Sequence, residues 1–283
     1  MASSVIRERG VRFIVSGQTG PPLVLLPGWP QTAEAFLPLF PELSSRHRVF
    51  AADPPGLGGS DAPSGDYSVT NISNILHEVI AAMLKEPVHV IGHDVGTIIG
   101  YAWAAQYPEQ VLSLTIMDAT LPGVSRGLPF PLPHEVNNKL FQFSFNALPD
   151  LPEILVEGKE GAYLNWLFDT KATHPERITE DSRKIYIEAY SKHGAMSRGF
   201  EYYRAVPQTS LQILGLAEKK LQMPVLAVGG DFGVGAKMGL VAKMVADHVQ
   251  EVVLDDCGHY VMEEQPETLS KLLLSFIAKN TKP

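Results

Sequence analysis

Cysteine is almost missing from this chain. The single thiol, Cys257, excludes an intramolecular disulfide and any cysteine-based metal cluster. No stretch approaches the roughly 20 apolar residues of a spanning helix. The first residues, Met1-Ala2-Ser3-Ser4-Val5-Ile6-Arg7-Glu8-Arg9, have no apolar signal core. A cytoplasmic protein with no membrane partner is the expectation. Positive charge is also in short supply: 23 Lys and Arg face 31 Asp and Glu, a net charge of -8. Such a balance argues against binding a phosphate backbone, so no nucleic acid is expected. Internal repeats and low-complexity tails are absent too. No residue pattern sets an oligomeric state, and a homodimer is the base-rate expectation.

What is present is a rhythm. The chain has 283 residues, 45% of them hydrophobic, enough for one large domain or a core carrying an insertion. Short apolar runs end in glycine, proline or aspartate: Leu23–Leu26, Arg48–Ala52, Val88–Ile91, Leu112–Met117, Val225–Val228 and Glu251–Leu254. These read as buried strands of a mostly parallel sheet. Helical patterns lie between them at about Asn71–Leu84, Thr97–Gln106, Ala236–Val245 and Glu267–Ala278. Strand, loop, helix, strand is the α/β signature. The rhythm breaks between 121 and 216. That stretch opens on Pro122, Pro129, Pro131 and Pro133, then reads as helices rich in aromatics. The expected organisation is a core of 1–120 and 217–283 with a helical cap of 121–216.

Polar groups gather after the strand ends, where open parallel sheets hold their ligands. In Gly92-His93-Asp94-Val95-Gly96, two glycines flank a central acid at a strand-to-helix turn. Small neighbours allow a sharp elbow that thrusts the central side chain into a site. As a strand-end acid before a helix, Asp94 also suits an N-cap. His93 directly precedes it, so the elbow points His93 away, in a structural role. Gly56-x-Gly58-Gly59 lacks both the P-loop lysine and the dinucleotide fingerprint, and no metal or cofactor is expected.

The ordered set Pro27-Gly28-Trp29-Pro30, Asp53-Pro54-Pro55-Gly56-Leu57-Gly58-Gly59-Ser60, Gly92–Gly96 and Gly258-His259-Tyr260 resembles the α/β-hydrolases of the epoxide hydrolase and haloalkane or haloacid dehalogenase branch. The pattern is most similar to bacterial epoxide hydrolases related to fluoroacetate dehalogenases. The resemblance implies an α/β-hydrolase core with an inserted cap. It makes Asp94 a nucleophile that forms an ester with substrate, and His259 the base that activates water. The backbone N–H groups of Trp29 and Val95 become the oxyanion hole. Two acids compete to orient His259: Asp118, favoured by its 24-residue interval from Asp94, and Asp231.

Substrate is less sharply implied. Tyr203 matches the cap tyrosine that donates to an epoxide oxygen, and Tyr202 is its neighbouring alternative. Where a second cap donor is common, Gln142 stands in Phe141-Gln142-Phe143. Gln142, Phe143, Trp166 and His134 are candidate substrate contacts, with His134 and Tyr163 more distant candidates for the missing donor. Val95 stands where haloalkane dehalogenases commonly hold a halide with tryptophan. The arginines that grip a haloacid carboxylate are absent after Asp94, and Pro27 replaces the histidine usual before the oxyanion glycine. The leading expectation is hydrolysis of an apolar small-molecule epoxide to a vicinal diol. A dehalogenase with the same covalent mechanism, or a non-catalytic binding protein on this fold, are the alternatives.

Overall fold

A computed structural model describes residues 3–125 and 132–280. The expectations at Pro129 and Pro131 lie outside those residues. The sheet has eight strands: β1 Ser4–Glu8, β2 Val11–Ser16, β3 Pro22–Leu26, β4 Arg48–Ala52, β5 Val88–His93, β6 Val111–Met117, β7 Val225–Gly230 and β8 Val249–Leu254. Their spatial order is β1-β2-β4-β3-β5-β6-β7-β8. From β4 to β8 every pairing is parallel. Strands β3, β5 and β7 are buried along their whole length, as expected of strands covered on both faces.

The first two strands had no counterpart among the expected ones, and the reason is physical. β1 is an edge strand whose residues are exposed or half-buried, with Arg7 and Glu8 among them. Charged edges deter pairing with other chains but erase the apolar signal. The β1–β2 hairpin turns at Arg9 and Gly10, both at positive φ (46° and 82°), which suits the right-handed twist of the two strands.

Helices α1 Phe40–Leu43, α2 Val69–Met83, α3 Val95–Gln106, α10 Lys237–Val245, α11 Val261–Glu264 and α12 Pro266–Asn280 accompany the sheet. In α12, Leu269, Leu273, Phe276 and Ile277 recur at helical spacing and are all buried. Burying each such side chain contributes roughly 2 kcal/mol before chain entropy is counted. Among the described residues six helices come between β6 and β7: α4 His134–Asn146, α5 Leu151–Val156, α6 Glu160–Lys171, α7 Glu180–Tyr190, α8 Ala195–Arg204 and α9 Val206–Leu216. They bury Leu164, Phe168, Tyr186, Tyr190 and Phe200, so part of the aromatic run joins the apolar core of the sheet. Among the described residues no helix is long and apolar enough to cross a membrane.

Candidate active site

The chain turns from β5 into α3 at Asp94, whose φ of 51° and ψ of -121° lie outside the ordinary regions for a non-glycine residue. Strain of that kind persists only where neighbours over-determine it. A Cβ on Gly92 would lie 2.1 Å from Gly96 O, and one on Gly96 would lie 2.0 Å from Leu26 O. Thr97 Oγ1 donates to Gly92 O at 2.9 Å and accepts from Met117 N at 2.9 Å, tying the elbow to β6. The Asp94 side chain makes no N-cap hydrogen bond. It turns instead toward the loop after β3, where a Cβ on Gly28 would lie 2.2 Å from Asp94 Cβ. Glycine is therefore required where that loop crosses the carboxylate. Val95 is the first residue of α3, so its amide has no partner inside the helix.

His259 lies in the turn after β8 with Nε2 3.5 Å from Asp94 Oδ2. Its Nδ1 is 2.7 Å from Asp118 Oδ2. Asp118 ends β6 at φ 44° and is buried. Its other oxygen accepts from Gly230 N at 3.1 Å and Val234 N at 2.8 Å. Two amides fix the carboxylate in place, and its oxygen at Nδ1 assigns that proton to His259. Asp231, the competing acid, faces away. It is exposed and accepts from the amides of Asp256 and Cys257 at 3.1 and 3.0 Å, shaping the loop that carries His259.

Charge and burial compete at each group. Burial pushes the Asp94 carboxyl up, but the hydrogen bond and charge of His259, then the charge of Lys171, hold it well below the usual range. Burial pulls His259 down, and hydrogen bonds to Asp118 and Asp94 outweigh it, so the imidazole titrates above its ordinary value. Asp94 Oδ1 is buried without a hydrogen-bond partner, and His259 Nε2 has only the long 3.5 Å approach of Asp94 Oδ2. Two such groups side by side suit a site that receives a polar atom from outside.

His93 is buried and held down at about 4, by desolvation first and then by His259. It is therefore neutral, and its Nε2 is 2.7 Å from His259 O, which ties it to the His259 turn. Burial drives the Cys257 thiol upward, so it stays protonated and unreactive. Asp53 accepts from Ala33 N, Gly59 N and Arg12 at 2.7, 2.8 and 2.8 Å. The glycine-rich motif thus braces the Trp29 loop.

The helical insertion brings Tyr203 onto the same centre. Its buried ring stands edge-on to Trp29 at 5.4 Å between centroids. Burial, and next the charge of Asp94, push its phenol well above 10. Tyr202 points the other way: its hydroxyl donates to Pro55 O at 2.7 Å and its ring meets Tyr67. Adjacent residues on a helix point about 100° apart, so both rings are buried but in different directions. Tyr163 reaches Trp29 but donates its hydroxyl to Asn146 at 2.6 Å.

Several other candidate contacts lie away from Asp94. His134 is exposed at the start of α4, beside Asn138. Trp166 is 41% exposed and packs edge-on against Phe141. Phe143 is 48% exposed, and its ring meets that of Tyr203 edge-on at 5.5 Å between centroids. Gln142 is buried, but its amide is spent: Nε2 donates to Lys139 O at 3.0 Å and Oε1 accepts from Lys171 Nζ at 2.6 Å, the orientation its neighbours require.

Sequence reading missed two residues. Glu264 accepts from Gly258 N, Tyr260 N, Thr173 N and His174 N at 2.9, 3.0, 2.8 and 3.1 Å, joining the His259 turn to the end of α6. Lys171 itself brings a cation to the two catalytic-side acids. Its signal was present: Leu164, Leu167 or Phe168, and Lys171 share one helical face, so a lysine interrupts an apolar stripe. No group of three metal-ligating side chains comes together among the described residues.

Known proteins share this architecture. Residues 21–266 match the alpha/beta hydrolase fold family. The chain is 30% identical over 279 residues to the soluble epoxide hydrolase of Corynebacterium sp. (strain C12), covering 97% of this chain and 96% of that one. It is 25% identical over 282 residues to a fluoroacetate dehalogenase of Burkholderia sp., covering 93% and 89%. The solved structure of Cfl2 from Burkholderia cenocepacia superimposes with a TM-score of 0.91 at 34% identity, covering 97% and 95%. The chain belongs to the alpha/beta hydrolase fold family, among the hydrolases that include epoxide hydrolases and fluoroacetate dehalogenases.

Proposed function

We propose that this enzyme hydrolyses an apolar epoxide to a vicinal diol through an ester on Asp94. The observation that carries the reading is the line Asp118–His259–Asp94, with the buried Tyr203 ring beside it against Trp29. The steps run 2.7 Å from Asp118 to Nδ1 and 3.5 Å from Nε2 to Asp94. Asp94 Oδ attacks a ring carbon and the C–O bond opens toward Tyr203, whose hydroxyl donates a hydrogen bond to the departing oxygen. Because Asp94 stays ionised well below neutral pH, it is a ready nucleophile. His259 then takes a proton from water, and the hydroxide attacks the ester carbonyl. The amides of Trp29 and Val95 receive the oxyanion. Asp118 keeps the imidazole oriented and stabilises its charge. Trp29, Tyr203, Tyr163 and Phe141 surround the centre with aromatic surface, which favours an apolar substrate. The kinship with a soluble epoxide hydrolase supports the same chemistry.

Mass spectrometry of His259→Gln after exposure to an uncharged epoxide tests this directly. An Asp94 ester should accumulate with the mass of the substrate added, while the wild type releases diol. Halide release from a haloalkane or haloacid with no epoxide turnover would make the enzyme a dehalogenase. No adduct and no turnover on any such substrate would leave only a binding role.

A further inference from the structure

Opening an epoxide leaves charge on the ring oxygen, and Tyr203 is poorly placed to surrender its proton. Its surroundings are apolar and Asp94 lies close, and both oppose a phenolate. Among the polar groups of the insertion, Tyr202 donates to Pro55, Tyr163 to Asn146 and Gln142 Nε2 to Lys139. Asn146 Nδ2 is buried without a partner, but a neutral amide is no useful acid. Lys171 is a cation with donors to spare. It ends α6, and its backbone oxygen accepts from His259 N at 3.1 Å, so the residue is anchored to the turn that carries the base. Its side chain lies on the face of α6 that carries Leu164 and Phe168, and Gln142 Oε1 holds the ammonium at 2.6 Å. That bond uses one of three N–H donors. Its charge reaches Asp94, Asp118 and His259 together.

Resting on the epoxide reading above, we propose that Lys171, aimed by Gln142, is a catalytic acid that protonates the oxygen leaving the ring. The Asp94–carbon bond forms, the ring C–O bond breaks with its electron pair going to oxygen, and that oxygen takes a proton from the Lys171 ammonium. Tyr203 holds the same oxygen by a hydrogen bond. In the second half-reaction, water gives one proton to His259 and its hydroxide to the ester carbonyl. Collapse releases the second alcohol oxygen, which takes the His259 proton. The carboxylic acid formed at Asp94 returns its proton to the Lys171 amine, and the cycle closes. Charge favours this role over recognition of an anionic substrate. Asp94 and Asp118 already outnumber the one ammonium when His259 is neutral, and a substrate carboxylate would add a third negative group. Burial also lowers the lysine from its ordinary value, which makes it a stronger acid, while Asp94 and Asp118 oppose that shift.

The test compares Lys171→Met and Lys171→Arg in a His259→Gln background, where each molecule alkylates once. Methionine fits the apolar face and should fold, as thermal unfolding will show. Lys171→Met should slow formation of the Asp94 ester about 10²-fold with little change in half-saturating epoxide. The loss should be smaller for a trifluoromethyl-substituted oxirane than for a methyl-substituted one, because the first leaves as a less basic alkoxide. Lys171→Arg should keep part of the rate, and Gln142→Leu should lose less than Lys171→Met. If the His259→Gln protein alkylates and Lys171→Met alkylates equally fast, Lys171 is not the acid, although the covalent mechanism stands. A loss confined to half-saturation by carboxylate-bearing epoxides would also overturn the proposal, making Lys171 a substrate contact. A His259→Gln protein that forms no ester with any epoxide removes the functional reading and this inference together.

Discussion

The site has two halves built on different principles. The sheet half places Asp94, Asp118 and His259 by backbone. Glycines at 28, 92 and 96 clear the space, and amides of Gly230 and Val234 clamp Asp118. The helical half places the Tyr203 and Gln142 side chains and the Lys171 ammonium largely by side-chain contacts. Backbone placement ties chemistry to short local strings, whereas side-chain placement leaves each residue free to be replaced by a different solution. Asp118 and Asp231 sharpen the contrast, since both follow neighbouring parallel strands and only one meets His259. Asp118→Asn should therefore produce the largest effect, a loss of about 10⁴ in turnover, because an amide cannot hold the imidazole tautomer. Steady-state turnover beside a thermal-unfolding scan checks it. A loss no greater than that of Asp231→Asn would dissolve the distinction between the two acids.

Across the insertion the matching pair is Tyr203 and Tyr202. Tyr203→Phe should cost about 10²-fold in ester formation with stability almost unchanged. Tyr202→Phe should reverse the pattern. Pro55 O would lose its donor at 2.7 Å, costing about 1–3 kcal/mol in unfolding, while ester formation stays near the wild-type rate. Equal kinetic effects from both would mean that the two rings share the substrate.

This asymmetry explains what the sequence disclosed. The parallel strands were readable because β3, β5 and β7 are buried on both faces and so contain unbroken apolar runs. The charged edge strand β1 was not, because half its residues face water. Asp94 announced itself through the glycines its elbow needs. Gln142 could be located but not interpreted, since its partner Lys171 lies a helix away and no local spacing links them. Glu264 was silent for the same reason: its four backbone donors come from two segments that meet only in the fold. Trp166 and Phe143 could be named from aromatic content, but that content alone does not say which way a ring faces.

The pH response offers a finer test of the sheet half. In the resting enzyme Asp118 and Asp94 both raise His259 against burial. Alkylation turns Asp94 into a neutral ester and removes one of those supports; the proton that Lys171 gives to the ring oxygen takes away a repulsion as well, but the Asp94 support is the larger influence on His259. His259 should then lose its proton more readily in the ester than in the free enzyme. A base works only when neutral, so hydrolysis fails as pH falls through the histidine's value in the ester. The acid limb of ester hydrolysis is expected at lower pH than the titration of His259 in the free protein, followed by NMR of the imidazole. Coincident values would mean that Asp94 contributes nothing to the charge on His259.

The smallest effect belongs to Asp231. Its carboxylate sits in water, and hydrogen bonds from Cys257 and Asp256 amides lower its pKa. A depressed acid contributes stability above its unfolded value and loses it as pH falls through the folded one. Asp231→Asn should cost at most about 1 kcal/mol at neutral pH, since water competes for both bonds. The gap from wild type should close on acidification, once the native carboxylate is protonated too. Turnover should change far less than with Asp118→Asn, because the amide oxygen can still accept from the loop and His259 keeps its own partner. Unfolding scans across acidic pH read this out. A gap that stays constant as Asp231 titrates would mean that the charge is irrelevant and only the shape of the side chain holds the loop.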